Sequence, residues 1–138
     1  MPTKRVFSTA VVTNNQLFII GGCDAAGKPL DSFEQFDMKK KWNRLRDMPT
    51  KRAGVAATVV GKKIVAIGGV SQEQTPMDSV EVYNLEDKTW KSMEPLGEAL
   101  LGVSCVTRGE DQTIISENVL GYLNEDSVLK KKKSYSNT

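Results

Sequence analysis

MPTKRVFSTAVVTNNQLFIIGGCDAAGKPLDSFEQFDMKKKW, residues 1 to 42, returns as MPTKRAGVAATVVGKKIVAIGGVSQEQTPMDSVEVYNLEDKTW, residues 48 to 90. Met1 matches Met48, Gly21-Gly22 matches Gly68-Gly69, and Phe36 matches Tyr83, each 47 residues on. At Trp42 and Trp90 the offset becomes 48, so the second copy carries one extra residue in the turn before its tryptophan. Turns are where insertions are tolerated. Self-similarity at this period marks a fold built from one supersecondary unit used repeatedly.

The repeat also decides how a tempting site is read. Leu17 to Ile20 run into Gly22-x-x-x-x-Gly27-Lys28, most of a phosphate-cradling loop. Such a loop needs a Ser or Thr after the lysine to ligate Mg²⁺, and a helix whose first N–H groups face the phosphates. Here the next residue is Pro29, which has neither hydroxyl nor N–H. The second copy has Gln74-Thr75 in place of Gly27-Lys28, yet keeps Pro76, Asp78, Ser79 and Glu81 opposite Pro29, Asp31, Ser32 and Glu34. What repeats is architecture, and no nucleotide or other cofactor is expected.

Each copy divides into four short segments. Phe7 to Val12 and Val55 to Val60 are small or β-branched and suit a strand buried on both faces; Leu17 to Ile20 and Ile64 to Ile67 form a second. Asn14-Asn15 and Gly61-Lys62 lie between them as tight-turn residues, which predicts a hairpin. The third strand is Ser32 to Phe36, matched by Ser79 to Tyr83. The fourth carries Trp42 and Leu45, matched by Trp90 and Met93. Four antiparallel strands per repeat, at this period, describe a propeller blade.

Composition narrows the chemistry. The chain has 138 residues, 26% charged and 39% hydrophobic, with a net charge of +2, as in an ordinary soluble domain. Its N-terminus lacks the apolar core of a signal peptide, and no run reaches transmembrane length. Cys23 and Cys105 are far apart and are expected to be reduced and structural, in a cytoplasmic setting. There is no histidine, so nucleophile–imidazole pairs and mixed Cys/His zinc sites are excluded. The carboxylates are scattered and read as solvated surface charge. Neither a catalytic residue nor a metal ligand is expected.

The residues resemble the kelch repeat, whose pattern is an arginine before the first strand, a Gly-Gly ending the second, an aromatic ending the third and a tryptophan soon after. Arg5, Gly21, Gly22, Phe36 and Trp42 fill it once; Arg52, Gly68, Gly69, Tyr83 and Trp90 fill it again. The phrasing RAGVAATVVGKKIVAIGGV is most similar to the kelch domain-containing protein 8 group. The fold expected is therefore all-β, a partial kelch propeller with two complete four-stranded antiparallel blades and a fragment of a third. Repeat 1 spans 1–47, repeat 2 spans 48–94 and an incomplete third spans 95–108, where Leu101 to Val106 resemble Ala53 to Thr58. Residues 109–138 show no Gly-Gly or tryptophan and read as a non-kelch tail, disordered or with a short helix around Val119, Leu120, Tyr122 and Leu123. The pattern reads as cut at both ends, so the missing blades are expected from a parent chain or from self-association.

The resemblance implies a protein-binding platform and no enzyme. Arg5 and Arg52 match positions that often line the family's binding face, and the unlike connections Cys23 to Asp31 and Val70 to Asp78 share it. The candidate partner-binding residues are thus Lys4, Arg5, Asp24, Lys28, Lys51, Arg52, Ser71 and Gln72, with an acidic peptide as the natural ligand. The alternative is that each arginine bonds neighbouring backbone carbonyls. A galactose oxidase-like enzyme would need histidine ligands to copper, which this chain lacks. A nucleic-acid reading would rest on Lys39 to Lys41 and Lys130 to Lys133 without an aromatic platform. The second lysine run is also the one feature that would suit nuclear import.

Overall fold

The computed structural model describes residues 1–37 and 39–95, and beyond them the strand backbones 104–108, 112–116, 121–124 and 129–131. Strands β1 (Thr9–Thr13), β2 (Gln16–Ile20), β3 (Phe33–Phe36) and β4 (Trp42–Arg44) form one antiparallel sheet in chain order. Strands β5 (Ala56–Val60), β6 (Lys63–Ile67), β7 (Val80–Asn84) and β8 (Thr89–Met93) form a second of the same order. The architecture is all-β, built from propeller-type blades, with no helix among the described residues.

The turns that shape each blade follow from a few residues. Asn14 and Asn15 stand at φ 51° and 58°, a left-handed pair that suits a two-residue hairpin, and in the second repeat Gly61 opens the corresponding turn at φ 56°. Gly69 ends β6 at φ 95°, where a Cβ would lie 2.6 Å from the Ala53 carbonyl oxygen. A Cβ on Gly21 would lie 2.5 Å from the carbonyl oxygen of Arg52 in the second repeat. Only glycine admits these two approaches. The β3–β4 turns begin at Asp37 and Asn84, whose side-chain oxygens accept from the backbone two and more residues on. The inserted residue of the second copy falls in that turn, so strand register is undisturbed: Phe36 faces Trp42 as Tyr83 faces Trp90.

The core lies between the two sheets. Phe18, Ile20 and Phe33 of the first meet Ile64, Ala66 and Tyr83 of the second, with Met48 and Val55 from the connection. Phe33 is the hinge of this contact, 4.8 Å from the Tyr83 ring and 5.1 Å from Trp90, edge-on to both. Such pairs add about 0.5–1.5 kcal/mol each beyond the area they bury. The innermost strand β5 lies beside β1 on one side and a strand at Ser104–Arg108 on the other, as neighbouring blades around an axis require.

Two expectations are corrected. The first strand begins at Thr9, not Phe7, and it is not buried on both faces: Ala10 and Val12 are exposed, Val12 to 69%. Their side of the sheet is the one the second sheet does not cover. The second correction concerns the region read as an incomplete third repeat and a tail. Strands β9 (Ser104–Arg108), β10 (Gln112–Ser116), β11 (Gly121–Asn124) and β12 (Leu129–Lys131) pair in chain order as another four-stranded antiparallel sheet. Ladder pairing uses backbone groups that every non-proline residue carries, so a blade forms without the Gly-Gly and tryptophan signature. Tyr122 and Leu123 lie in β11 rather than a helix, and Lys130 and Lys131 lie in β12. Leu101 to Val103, Val119, Leu120, Lys132 and Lys133 fall outside the described residues.

Candidate functional site

The β2–β3 connections and the approaches to β1 and β5 converge on one rim. Val6 and Cys23 exchange backbone hydrogen bonds, Gly22 donates to the Arg52 carbonyl at 3.0 Å, and Arg52 donates to Leu30 at 3.0 Å. The two connections are copies of one backbone. In the first, Asp24 closes the loop, its Oδ1 accepting from Ala26 and Lys28, both at 2.9 Å. In the second, Ser71 Oγ accepts from Thr75 at 3.3 Å. Both loops also close by backbone bonds, Asp24 to Lys28 and Ser71 to Thr75. Gly27 (φ 80°) and Gln74 (φ 62°) take the same left-handed turn. The geometry repeats while the side chains differ.

The candidate residues divide into two groups. Lys4, Lys28, Lys51 and Gln72 are exposed on this rim, Asp24 is half-buried, and Ser71 is buried against its own loop. The arginines turn inward. Arg52 is fully buried, its Nη1 donating to the carbonyls of Gly68 (3.0 Å) and Ser79 (3.1 Å), and its Nη2 to Ser79 Oγ (2.9 Å) and Glu81 Oε1 (2.7 Å). Arg5 does the same in the first repeat, donating to Gly21, Ser32 and the carboxylate of Glu34, with its side chain wholly out of solvent. Each guanidinium therefore ties together the strands of its own repeat and is turned away from solvent. Burial lowers the pKa of Arg52, against the opposing pull of Glu81, and the group stays charged.

Glu34 and Glu81 are not the solvated surface charge that their sequence setting predicts: they are 0% and 2% exposed and anchor these pairs. Their recurrence at the arginine's own spacing is the signal that reveals them. The pairs are not equal: Thr50 donates to the second oxygen of Glu81 at 3.2 Å, whereas Glu34 Oε2 and Ser32 Oγ are buried without a partner among the described residues. Phe7 is a further departure. It holds φ 54° and is 73% exposed, where the second repeat has Gly54 at φ 60°. The motif aromatics Phe36, Trp42, Tyr83 and Trp90 pack within and between sheets, as wedge residues should.

A family model described as the KLHDC2/KLHL20/DRC7 Kelch-repeats domain matches residues 1–120. Among curated proteins, those named kelch domain-containing protein 8B from Homo sapiens and Bos taurus are each 47% identical to this chain over 38 residues. That stretch is 28% of this chain and 11% of each relative, so the chain matches only a small part of their length.

Proposed function

Because the chain belongs to the KLHDC2/KLHL20/DRC7 kelch-repeat family, we propose that it is a non-catalytic protein-interaction module whose Gly-Gly-loop rim captures a partner segment. The observation that carries this reading is the pair of loops, 24–28 and 71–75, with one backbone and different side chains. A rigid repeated frame carrying unlike surface groups is how specificity is commonly built. Lys4, Lys28 and Lys51 give the rim its basic character and favour an acidic peptide; Asp24 and Gln72 supply the selective contacts. In this reading the module works in the cytoplasm on a protein, not on nucleic acid, a membrane or a cofactor. The open face bearing Val12, Leu17, Phe36 and Trp42 is covered by another blade, from a parent chain or a second copy.

The test is fluorescence anisotropy with a labelled glutamate-rich peptide. The double variant Lys28→Glu, Lys51→Glu should bind it at least about tenfold more weakly, with unchanged circular dichroism, because reversing exposed rim charges alters binding more than packing. Equal affinity in the two proteins would overturn the reading. Arg52→Glu serves as the contrast, since breaking a buried pair costs about 3–5 kcal/mol and should unfold the protein rather than tune it.

A further inference from the structure

The crevice between the first two sheets opens at the rim opposite the Gly-Gly loops, a cleft of about 400 Å³. It is within the range of about 300–1,000 Å³ typical of ligand sites. Its second-sheet wall is apolar, formed by Tyr83 and Leu85. Its first-sheet wall sets three carboxamides, Gln16, Gln35 and Asn43, beside Phe18 and Leu45, with Asn14 at the lip. Gln35 stands opposite both Phe18 and Asn43 in the ladder, and Gln16 lies two residues from Phe18, so all three amides share one face of the sheet. The three are half-buried, yet none of their side chains has a hydrogen-bond partner among the described residues.

The fold does not require these amides. At the same places the second repeat has Lys63, Val82 and Lys91, and Val82 is simply buried. One amide in place of a buried valine and two in place of lysines, left without side-chain partners among the described residues inside a cleft, are placed for something that comes from outside. A carboxamide offers two donors and an acceptor in one plane, the complement of a peptide group's C=O and N–H. The charges at the cleft, Asp37 and Lys88, are of opposite sign, and Asp37 Oδ1 is already committed to the backbone of Lys39 and Lys41. Nothing there selects a charged ligand.

We infer that this amide-lined cleft is a second binding site, which takes an uncharged, extended peptide segment and reads its backbone through Gln16, Gln35 and Asn43. It is independent of the basic rim and differs from it in kind: peptide-group hydrogen bonds are insensitive to salt, whereas attraction between exposed charges is screened.

An array of short uncharged peptides, capped at both ends, tests this on the full chain. Peptides bound by the wild type should keep their affinity at high salt and should shift the side-chain amide signals of Gln16, Gln35 and Asn43 in a ¹⁵N–¹H correlation spectrum. Gln35→Val and Asn43→Lys, which install what the second repeat already carries, should each weaken binding about tenfold or more with an unchanged melting temperature. Lys28→Glu should leave it unaltered. The inference is overturned if no peptide of the array binds, if the variants bind equally well, or if the wild-type signals that move belong to the Gly-Gly loops. These outcomes leave the result with the glutamate-rich peptide standing or falling separately.

Discussion

Phe36 with Trp42 and Tyr83 with Trp90 occupy the same register in their sheets, and their ring centroids are nearly equally spaced, 4.9 and 5.2 Å. Among the described residues only the second pair packs against a neighbouring sheet, with Tyr83 buried and Trp90 half-buried. Tyr83 and Trp90 press against Phe33 of the preceding sheet, and Trp90 Nε1 donates to the Arg46 carbonyl at 2.8 Å. Phe36 and Trp42 are half-buried, beside the exposed Val12. The pairing of two motif aromatics is thus a property of one sheet, whereas the stability they supply belongs to the contact between two. A sequence motif announces the first and is silent on the second.

The comparison breaks most sharply at the tryptophans. Trp90→Ala removes a half-buried ring packed on Phe33 and Tyr83 and should cost about 2–3 kcal/mol, below the loss for a fully buried aromatic, while Trp42→Ala, without a ring of the next sheet against it, should cost about half as much. Urea unfolding of both variants measures the gap; equal losses would mean that the first pair is as enclosed as the second. A smaller effect separates Phe7 from Gly54. A bulky residue at positive φ carries backbone strain of about 1–3 kcal/mol, so Phe7→Gly should stabilise by about 1 kcal/mol and Gly54→Phe should destabilise by a similar amount. A Phe7→Gly variant with a lower unfolding midpoint would show that the exposed ring has found a packing partner.

The smallest effect is a pH dependence confined to the second repeat. Burial raises the pKa of the Tyr83 phenol, with Arg46 pulling weakly the other way. The folded protein then holds this proton more tightly than the unfolded chain, whose tyrosine titrates near pH 10. The corresponding stability is complete below that pH and is lost as pH rises through the higher folded value. Urea midpoints compared on either side of about pH 10 should fall less steeply in Tyr83→Phe than in the wild type. Parallel profiles would assign the alkaline loss to other groups.

What the sequence discloses and conceals follows the same division. Gly21-Gly22, Asn14-Asn15 and the aromatic–tryptophan spacing announce the two blades because each meets a local backbone demand with few chemical solutions. The third sheet goes unannounced, since a strand ladder can form without any of those residues. Arg5 and Arg52 are visible as repeated positions, but whether a guanidinium faces solvent or carbonyls depends on Glu34 and Glu81, 29 residues away in each repeat. The amide cleft is hidden for a related reason. Gln16, Gln35 and Asn43 are unremarkable in a linear reading and become a group only once three strands place them side by side.

Arg52 has a consequence for how such a protein can lengthen. Its main chain is bonded to Gly22 and Leu30 of the first repeat, and its side chain to Gly68, Ser79 and Glu81 of the second. The polar fastening between the two units is therefore encoded largely at the start of the downstream one, beside the apolar contact centred on Phe33. A duplicated segment beginning at Met48 would arrive with its own polar fastening and would need from its new neighbour a Gly-Gly amide, a few loop carbonyls and an apolar sheet face like that of Phe18 and Phe33. Growth by tandem copying then needs few matched changes, because a copy of the unit carries both halves of the joint, and positions outside it are free to differ, as Gln35 and Val82 do.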